Sequence, residues 1–475
     1  MGQKRYDVII IGAGIAGLVC GCFLSQKGYK VLILEQHYLP GGYCGCFYRK
    51  GFKFNTVLRG LSGFGAGGIL SSICEKLDIE YREFIRRANI YDIFRIKDYT
   101  IKFWNDPLRT LSDLTSLFPR EKDSLNSFYS LLAGQNFYLT SLKYANKTFQ
   151  DVLDYYFRNP TLKFIFSVLR IESVLAPSLS SAVADLTLLR GNIFDGGYYS
   201  LGGMQILSNA FVKKFRELGG EIKLRNLVTE IKLKDGTAQG VITEKREYYS
   251  SRYVVANCDV YNVFSDLLKI PSSELNRIKK MKVGHSAFIV HLGIKGRLNL
   301  YSNDFLSLWY CPDPIREKEF TVNKRLNSRL LGICCCFPSI LDRSLAPEGC
   351  ESVFAYTAMP YRNLSFWKKH RSDIEEKILL SLMEIVPDIK KRIIVKSNAT
   401  PITLNHYTMN YKGSTRGWHP ILSQTKRGLI SENCSIKNLF LTGHWITSPY
   451  GNGAIPLVAA NGRKVARMIS LDKHQ

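Results

Sequence analysis

The first strong pattern in the chain is Tyr6-Asp-Val-Ile-Ile-Ile11, a run of β-branched residues with almost no polar alternation. Strands of this kind sit in parallel sheets that are covered on both faces. An apolar stretch of helical length follows, Leu18 to Lys27, closed by Gly28, and Lys30-Val-Leu-Ile-Leu-Glu35 repeats the strand pattern. Strand, helix and strand in this order predict a βαβ unit. Further on, Gly219–Leu224, Val228–Leu233, Ala238–Thr243 and Tyr253–Ala256 read as short strands with a turn at Asp235-Gly236. A second group of strands is predicted at Ser286–Gly293, Phe305–Tyr310, Leu330–Phe337 and Ser352–Tyr356. Ser372–Met383 has helical periodicity, with Ile374, Ile378, Leu379 and Leu382 on one face, and Ser372 with Glu375 fits a capping box. Near the end, the strand Asn438–Gly443 runs into the glycine-rich Ser448–Ile455 and then a helix from about Pro456.

The link between the first strand and helix carries chemistry. Gly12-Ala13-Gly14-Ile15-Ala16-Gly17 stands directly after the strand. In this context Gly12 permits a tight turn, Gly14 lets the backbone approach a diphosphate, and Gly17 lets helix and strand pack closely. The N–H groups at the helix start then bind the diphosphate. Glu35 ends the second strand, where a carboxylate accepts both hydroxyls of an adenosine ribose and repels a 2′-phosphate. The motif predicts a dinucleotide and disfavours NADP. By itself it does not separate FAD from NAD.

Composition narrows the setting. With 475 residues, 45% apolar and 12% aromatic, the chain is long enough for two domains or one large composite one and can bury a full core. Its net charge of +25 favours polyanions or an anionic membrane surface, unless it reflects a generally basic proteome. The basic clusters, such as Lys390-Lys391-Arg392, belong to no nucleic-acid module and read as solvated helix faces. Twelve cysteines without a CxxC pair suit reduced thiols in a cytoplasmic protein, with no metal centre expected. Val8–Leu24 mimics a signal peptide, but its glycines have the meaning given above and no cleavage site follows. No other window is long enough for a spanning helix, so the expectation is a cytoplasmic protein, peripheral on the membrane.

Three further features favour FAD. Leu39-Pro-Gly41-Gly42-Tyr43 places a second glycine pair shortly after Glu35, the short strands between 219 and 256 follow, and the C-terminal strand opens a second glycine-rich helix start. Together with Gly196-Gly-Tyr-Tyr-Ser-Leu-Gly-Gly-Met-Gln205, Val254-Val-Ala-Asn-Cys-Asp259, Gly413–Trp418 and Asn438–Trp445, the chain resembles the FAD-dependent amine oxidase superfamily. Within it, the resemblance is to the phytoene desaturase, carotenoid isomerase and retinol saturase group, along nearly the whole length. Asn55, Arg59-Gly60 and Asn452 depart from the residues usual in that group.

The resemblance implies non-covalent FAD, with Gly12 to Gly17 at the diphosphate and Glu35 at the ribose. Gly41 and Gly42 would line the diphosphate and ribityl side, and Val228 would present its backbone to the adenine. Gly443, Gly453, Ala454 and Ile455 would stand at the ribityl and isoalloxazine end. It implies an α/β fold, a Rossmann-type, amine-oxidase-like FAD-binding domain interrupted by a substrate domain of mixed sheet plus helices. The FAD domain would comprise 1–75, 195–265 and 425–475, and the substrate domain 76–194 and 266–424.

Catalytic side chains are not specified by any motif, because the flavin carries the hydride. Pocket candidates are His444, inside the last cofactor motif, and Trp418 and Trp445, which would wall a channel or simply fill core. Phe137–Leu175, dense in aromatics and leucines, is either a core helix or a hydrophobic lid admitting lipid from a membrane, flanked by Lys163 and Arg170. The leading expectation is an oxidoreductase acting on C–C bonds of a hydrophobic polyene or isoprenoid. An amine-oxidase-type enzyme acting on C–N bonds and a flavin-binding protein without turnover are the alternatives.

Overall fold

The computed structural model describes residues 5–96, 99–169, 175–269, 273–300, 304–311, 332–426, 430–446 and 454–472. Its architecture is α/β, built on two seven-stranded sheets. In the first sheet, Glu221–Lys223, Val31–Leu34, Arg5–Ile11, Tyr248–Ala256 and Leu439–Leu441 run parallel in that spatial order. The long strand Tyr248–Ala256 serves two neighbours. Its start pairs antiparallel with Thr237–Thr243, which carries Val228–Lys234 beyond it, and its end pairs with Leu439–Leu441.

Helices Ile15–Gln26, Gln205–Glu217 and Ile455–Asp472 bury one face of this sheet in a core that includes Val8, Ile10, Leu18, Ile33 and Phe211. A Cβ at Gly462 would collide with the carbonyl of Ala16, so the last helix lies in direct backbone contact with the first.

The second sheet runs Ile393–Ala399, Ser286–Lys295, Cys350–Met359, Ile333–Cys336, Phe305–Cys311, Ile90–Ile96, Tyr99–Trp104. It is antiparallel except where Phe305–Cys311 meets Ile90–Ile96. The predicted strands of this sheet are present, although Leu330 and Leu331 lie outside the described residues. Three more strands, Ile90–Ile96, Tyr99–Trp104 and Ile393–Ala399, carry charges that blur their alternation in sequence.

The helix predicted from Ser372 begins eight residues earlier, spanning Leu364–Met383, and the capping box there is not formed. Asn363 caps it, its side chain accepting from the Phe366 N–H at 3.0 Å. Trp367 extends the apolar face by two turns, which the intervening Lys368-Lys369-His370-Arg371 hides. Glu375 instead pairs with Lys396 at 2.5 Å.

The aromatic-rich segment forms part of a helical layer on the other face of the second sheet. From Phe157 to Val168 the segment is core, with Phe157, Leu162, Ile165, Phe166 and Val168 buried, whereas Tyr138, Leu139, Leu142 and Tyr155 earlier in it are exposed. Arg170 lies outside the described residues. The two sheet units are stitched by Tyr198–Ser200, which pairs with Ile85–Arg87.

Candidate cofactor and substrate site

Where the first strand ends, Gly12 turns the chain at φ +97°, and a Cβ there would stand 2.5 Å from the Asn257 carbonyl oxygen. A Cβ at Gly17 would collide with the Gly12 carbonyl and reach within 2.6 Å of Asn257 Nδ2. That side-chain amide donates to the Gly12 carbonyl at 2.9 Å and to the Gly14 carbonyl at 3.4 Å. Asn257 therefore clamps the glycine loop from the end of the neighbouring strand. The helix begins at Ile15 and not at Leu18, because Gly14 is extended and forms the N-cap without a side-chain cap. Ile15, Ala16 and Gly17 are its first turn, whose N–H groups have no intrahelical acceptors and favour an anion.

Glu35 is buried beside this turn. Its Oε2 accepts from the Ala13 N–H at 2.7 Å and its Oε1 from the His37 N–H at 2.8 Å. Burial raises the carboxyl above its ordinary range, and the backbone N–H groups of His37, Ala13 and Gln36 pull it part of the way back. Each carboxylate oxygen has a second acceptor direction for a ligand hydroxyl. The Gly41 N–H donates to the Ala13 carbonyl at 2.8 Å, which lays the second glycine pair across the helix start. A Cβ at Gly42 would meet only Gly14 Cα, at 3.9 Å, so any side chain there would stand in the cavity that Gly42 lines.

That cavity measures about 510 Å³ and runs from the glycine loop to the second sheet. Beside the glycine loop it is lined by Gly12, Gly14, Glu35 and Val228, and at its other end by Tyr43, Val57, Leu58, Leu404, His444 and Trp445. Glu35 and Asp266 are its only carboxylates among the described residues, and Asp266 sits in Val263–Leu267, packed on the strand Val228–Lys234.

The far end is half polar at its rim. Tyr43 donates through its hydroxyl to the Ser414 carbonyl at 3.0 Å, and burial pushes its phenol up to about 12. Its ring lies 6.2 Å from that of His444. Burial lowers the His444 imidazole to about 4, which keeps it neutral, and its Nε2 is buried without a hydrogen-bond partner among the described residues. Gly443, at φ +98°, donates its N–H to Asn461 Oδ1 at 3.2 Å, and the same oxygen accepts from Thr442 Oγ1 at 2.7 Å. Ile455 lines the cavity with Gly443, Ala454 precedes it, and Gly453 lies outside the described residues.

Of the two tryptophans, only Trp445 reaches the cavity. Its indole donates to Asn410 Oδ1 at 2.9 Å, and its carbonyl accepts from the Trp418 indole at 3.0 Å. Trp418 is buried in the core behind it, edge-on at 4.8 Å, and does not line the channel. Two departures from the family pattern are structural. Asn55 joins Cys46, Met204 and Tyr199, and Arg59 pairs with Asp92 at 2.7 Å and Tyr91 at 2.8 Å. Asn452 lies outside the described residues.

Sequence reading passed over Asn257, Asn461 and Tyr43. Asn257 had a signal, since it directly follows a parallel strand at its carboxyl end, where ligands of such sheets bind. Asn461, inside the helix Ile455–Asp472, stands with Gly462 where the resembled group carries its closing motif, and was given no role of its own. All twelve cysteines are free thiols, and no cluster of metal-ligating groups occurs among the described residues. No helix among them is long and apolar enough to cross a membrane.

An uncapped helix start, two loops of glycine whose Cβ positions are filled or would fill the cavity, and a carboxylate at the strand end fit a flavin dinucleotide. The fold and this cradle define a dinucleotide-binding flavoprotein. Residues 15–470 match the flavin-containing amine oxidoreductases, and the chain belongs to that family. It is 27% identical to prolycopene isomerase 1 of an Oncidium hybrid cultivar, across 99% of this chain and 84% of that protein. It is 24% identical to the lycopene-forming phytoene desaturase of Pantoea ananas, across 98% of this chain and 99% of that one. An oxidoreductase from Methanosarcina mazei superposes with a TM-score of 0.70 at 17% identity, covering 98% of this chain and 100% of its own. The protein is an FAD-dependent oxidoreductase.

Proposed function

We propose that this protein uses FAD to act on a carbon–carbon bond of a hydrophobic polyene or isoprenoid, by desaturation, saturation or cis–trans isomerisation. The observation that carries this reading is the placement of charge in the cavity. Its two described carboxylates both stand at the glycine-loop end, and the far end, lined by Tyr43, Val57, Leu58, Leu404, His444 and Trp445, has none. A cationic amine would find no carboxylate at that end to pair with. A polyene has no charged handle, and its binding comes from buried apolar area at about 25 cal/mol per Å².

FAD, bound non-covalently, supplies a hydride-accepting and hydride-donating centre. The chain's own residues hold and orient it. Gly12, Ala13, Gly14, Ile15, Ala16 and Gly17 offer backbone N–H groups to the diphosphate, and Glu35 takes the ribose hydroxyls. Gly41 and Gly42 give clearance along the diphosphate and ribityl chain, and the Val228 backbone meets the adenine. Gly443, Gly453, Ala454 and Ile455 stand at the ribityl and isoalloxazine end. His444 is a neutral hydrogen-bonding group at that end, and Trp445 walls the substrate. We assign 1–75, 195–265 and 425–475 to the FAD domain and 76–194 and 266–424 to the substrate domain. With net charge +25, the protein associates peripherally with anionic membranes.

The test is to extract the flavin-loaded protein with organic solvent after incubation with polyene-containing vesicles. A bound polyene of changed double-bond number or geometry is expected. Recovery of only unaltered polyene, together with oxidation of an added polyamine, would move the assignment to C–N bonds.

A further inference from the structure

The segment Phe137–Tyr144 is amphipathic with its outer face left apolar. It buries Phe137 and Ser141, yet leaves Tyr138 50%, Leu139 69% and Leu142 45% exposed. The hydroxyl of Tyr144 lies 3.4 Å from that of Tyr156, which joins this segment to the helix Phe149–Tyr156. Tyr155, in the last turn of that helix, is 77% exposed. Large apolar side chains concentrated on one short stretch mark a contact surface, where scattered single ones would not.

We propose that this face, Tyr138, Leu139, Leu142 and Tyr155, seats the protein on an anionic lipid bilayer. Lys143 and Lys147 lie in the same stretch. Of the nearby acidic groups, Asp154 is neutralised by a lysine and Asp151 is held at a helix start. Asp151 accepts from the Thr148 N–H at 2.7 Å in a capping box, and Asp154 pairs with Lys163 at 2.5 Å. Lys143 and Lys147 are exposed and enter no ion pair among the described residues, which leaves both ammonium groups available to lipid phosphates. Leucines inserted among acyl chains, tyrosines at the headgroup level and lysines reaching up to the phosphates are the chemistry of an interfacial helix.

The position also suits a lipid-soluble substrate. One continuous apolar core contains Phe137, Phe149 and Leu153 beneath this face, and it also takes in Leu404, with Tyr43 and Val57 packed against it. Those last three also line the cavity. The docking face and the substrate end of the cavity are thus two sides of a single hydrophobic layer.

The inference rests on the peripheral membrane association proposed above and names its surface. Flavin-loaded protein is sedimented with phosphatidylcholine vesicles, with and without phosphatidylglycerol, as wild type, Leu139→Glu/Leu142→Glu and Lys143→Glu/Lys147→Glu. Wild type should bind the anionic vesicles, and each double variant should bind at least about tenfold less. Flavin content and melting temperature should be unchanged, because the positions are exposed. Variants that sediment like wild type would overturn this face while leaving membrane association intact. Failure of wild type to bind either vesicle would overturn both. A wild type that dimerises without lipid, and that Leu139→Glu/Leu142→Glu renders monomeric, would assign the face to a second copy of the chain.

Discussion

The side-chain amide of Asn257 donates to the carbonyl of Gly12 at 2.9 Å, tying the end of one parallel strand to the glycine turn of its neighbour. The glycine loop, proposed above to hold the cofactor, is thereby held from outside its own motif. Asn257→Ala should free the Gly12 and Gly14 carbonyls, costing about 1–3 kcal/mol. Asn257→Asp should be worse, because it turns an acceptor towards two carbonyls and adds negative charge beside the diphosphate. Thermal melting and FAD titration of both variants check this order.

Glu35 offers a second handle on the same cradle. Glu35→Ala leaves the Ala13 and His37 N–H groups without their acceptor and removes the ribose contacts, each hydrogen bond to charge being about 1.5–3 kcal/mol. FAD should then be lost on a desalting column. Burial raises the Glu35 carboxyl, so its proton returns at a higher pH than on an exposed glutamate, and FAD affinity should weaken correspondingly early on acidification. Full flavin occupancy in Glu35→Ala would remove Glu35 from the site.

Gly462 packs against Ala16 with no room for a Cβ. Gly462→Val should force apart the helices Ile15–Gln26 and Ile455–Asp472, at a cost of about 1–3 kcal/mol. The cofactor turn sits on the first of these helices, so a lower melting temperature and weaker FAD retention should appear together.

Three buried histidines, His291, His419 and His444, are each lowered to about 4 by burial. His291 donates from Nε2 to the Asn55 carbonyl at 3.0 Å and is held neutral among Phe47, Phe54 and Phe354. The unfolded chain protonates its histidines near pH 6.5. Their contribution to stability is thus fully present above about pH 6.5 and is lost as pH falls towards 4. Melting temperature should fall steadily over this window. An unchanged melting temperature down to pH 4.5 would mean that the three sites are hydrated and titrate normally.

The βαβ unit was legible because its residues are constrained locally. The run Val8 to Ile11 suits a covered strand, Gly12 and Gly17 are fixed by backbone clearance, and Gly14 presses only on the Asn257 side chain. The second sheet was partly legible. Ser286–Lys295 is continuous and apolar, whereas Ile393–Ala399 reads as mixed because it is an edge strand with lysine and asparagine on it. The helix start at Leu364 was hidden because only Trp367 carries its core face through a charged stretch. Trp418 and Trp445 could not be separated in sequence. Which of them meets the cavity depends on their mutual packing, a tertiary fact.

The central claim is that the flavin of this protein serves a polyene and not an amine. The most direct test is an anaerobic absorbance titration of the purified, FAD-loaded protein, in oxidised and reduced forms, with phytoene, prolycopene and putrescine, followed by chromatography of the products. The account predicts that a polyene is converted, with a change of flavin redox state for desaturation or saturation and none for isomerisation, and that putrescine leaves the oxidised flavin band intact. Rapid bleaching of that band by putrescine, with both polyenes recovered unchanged, would contradict it.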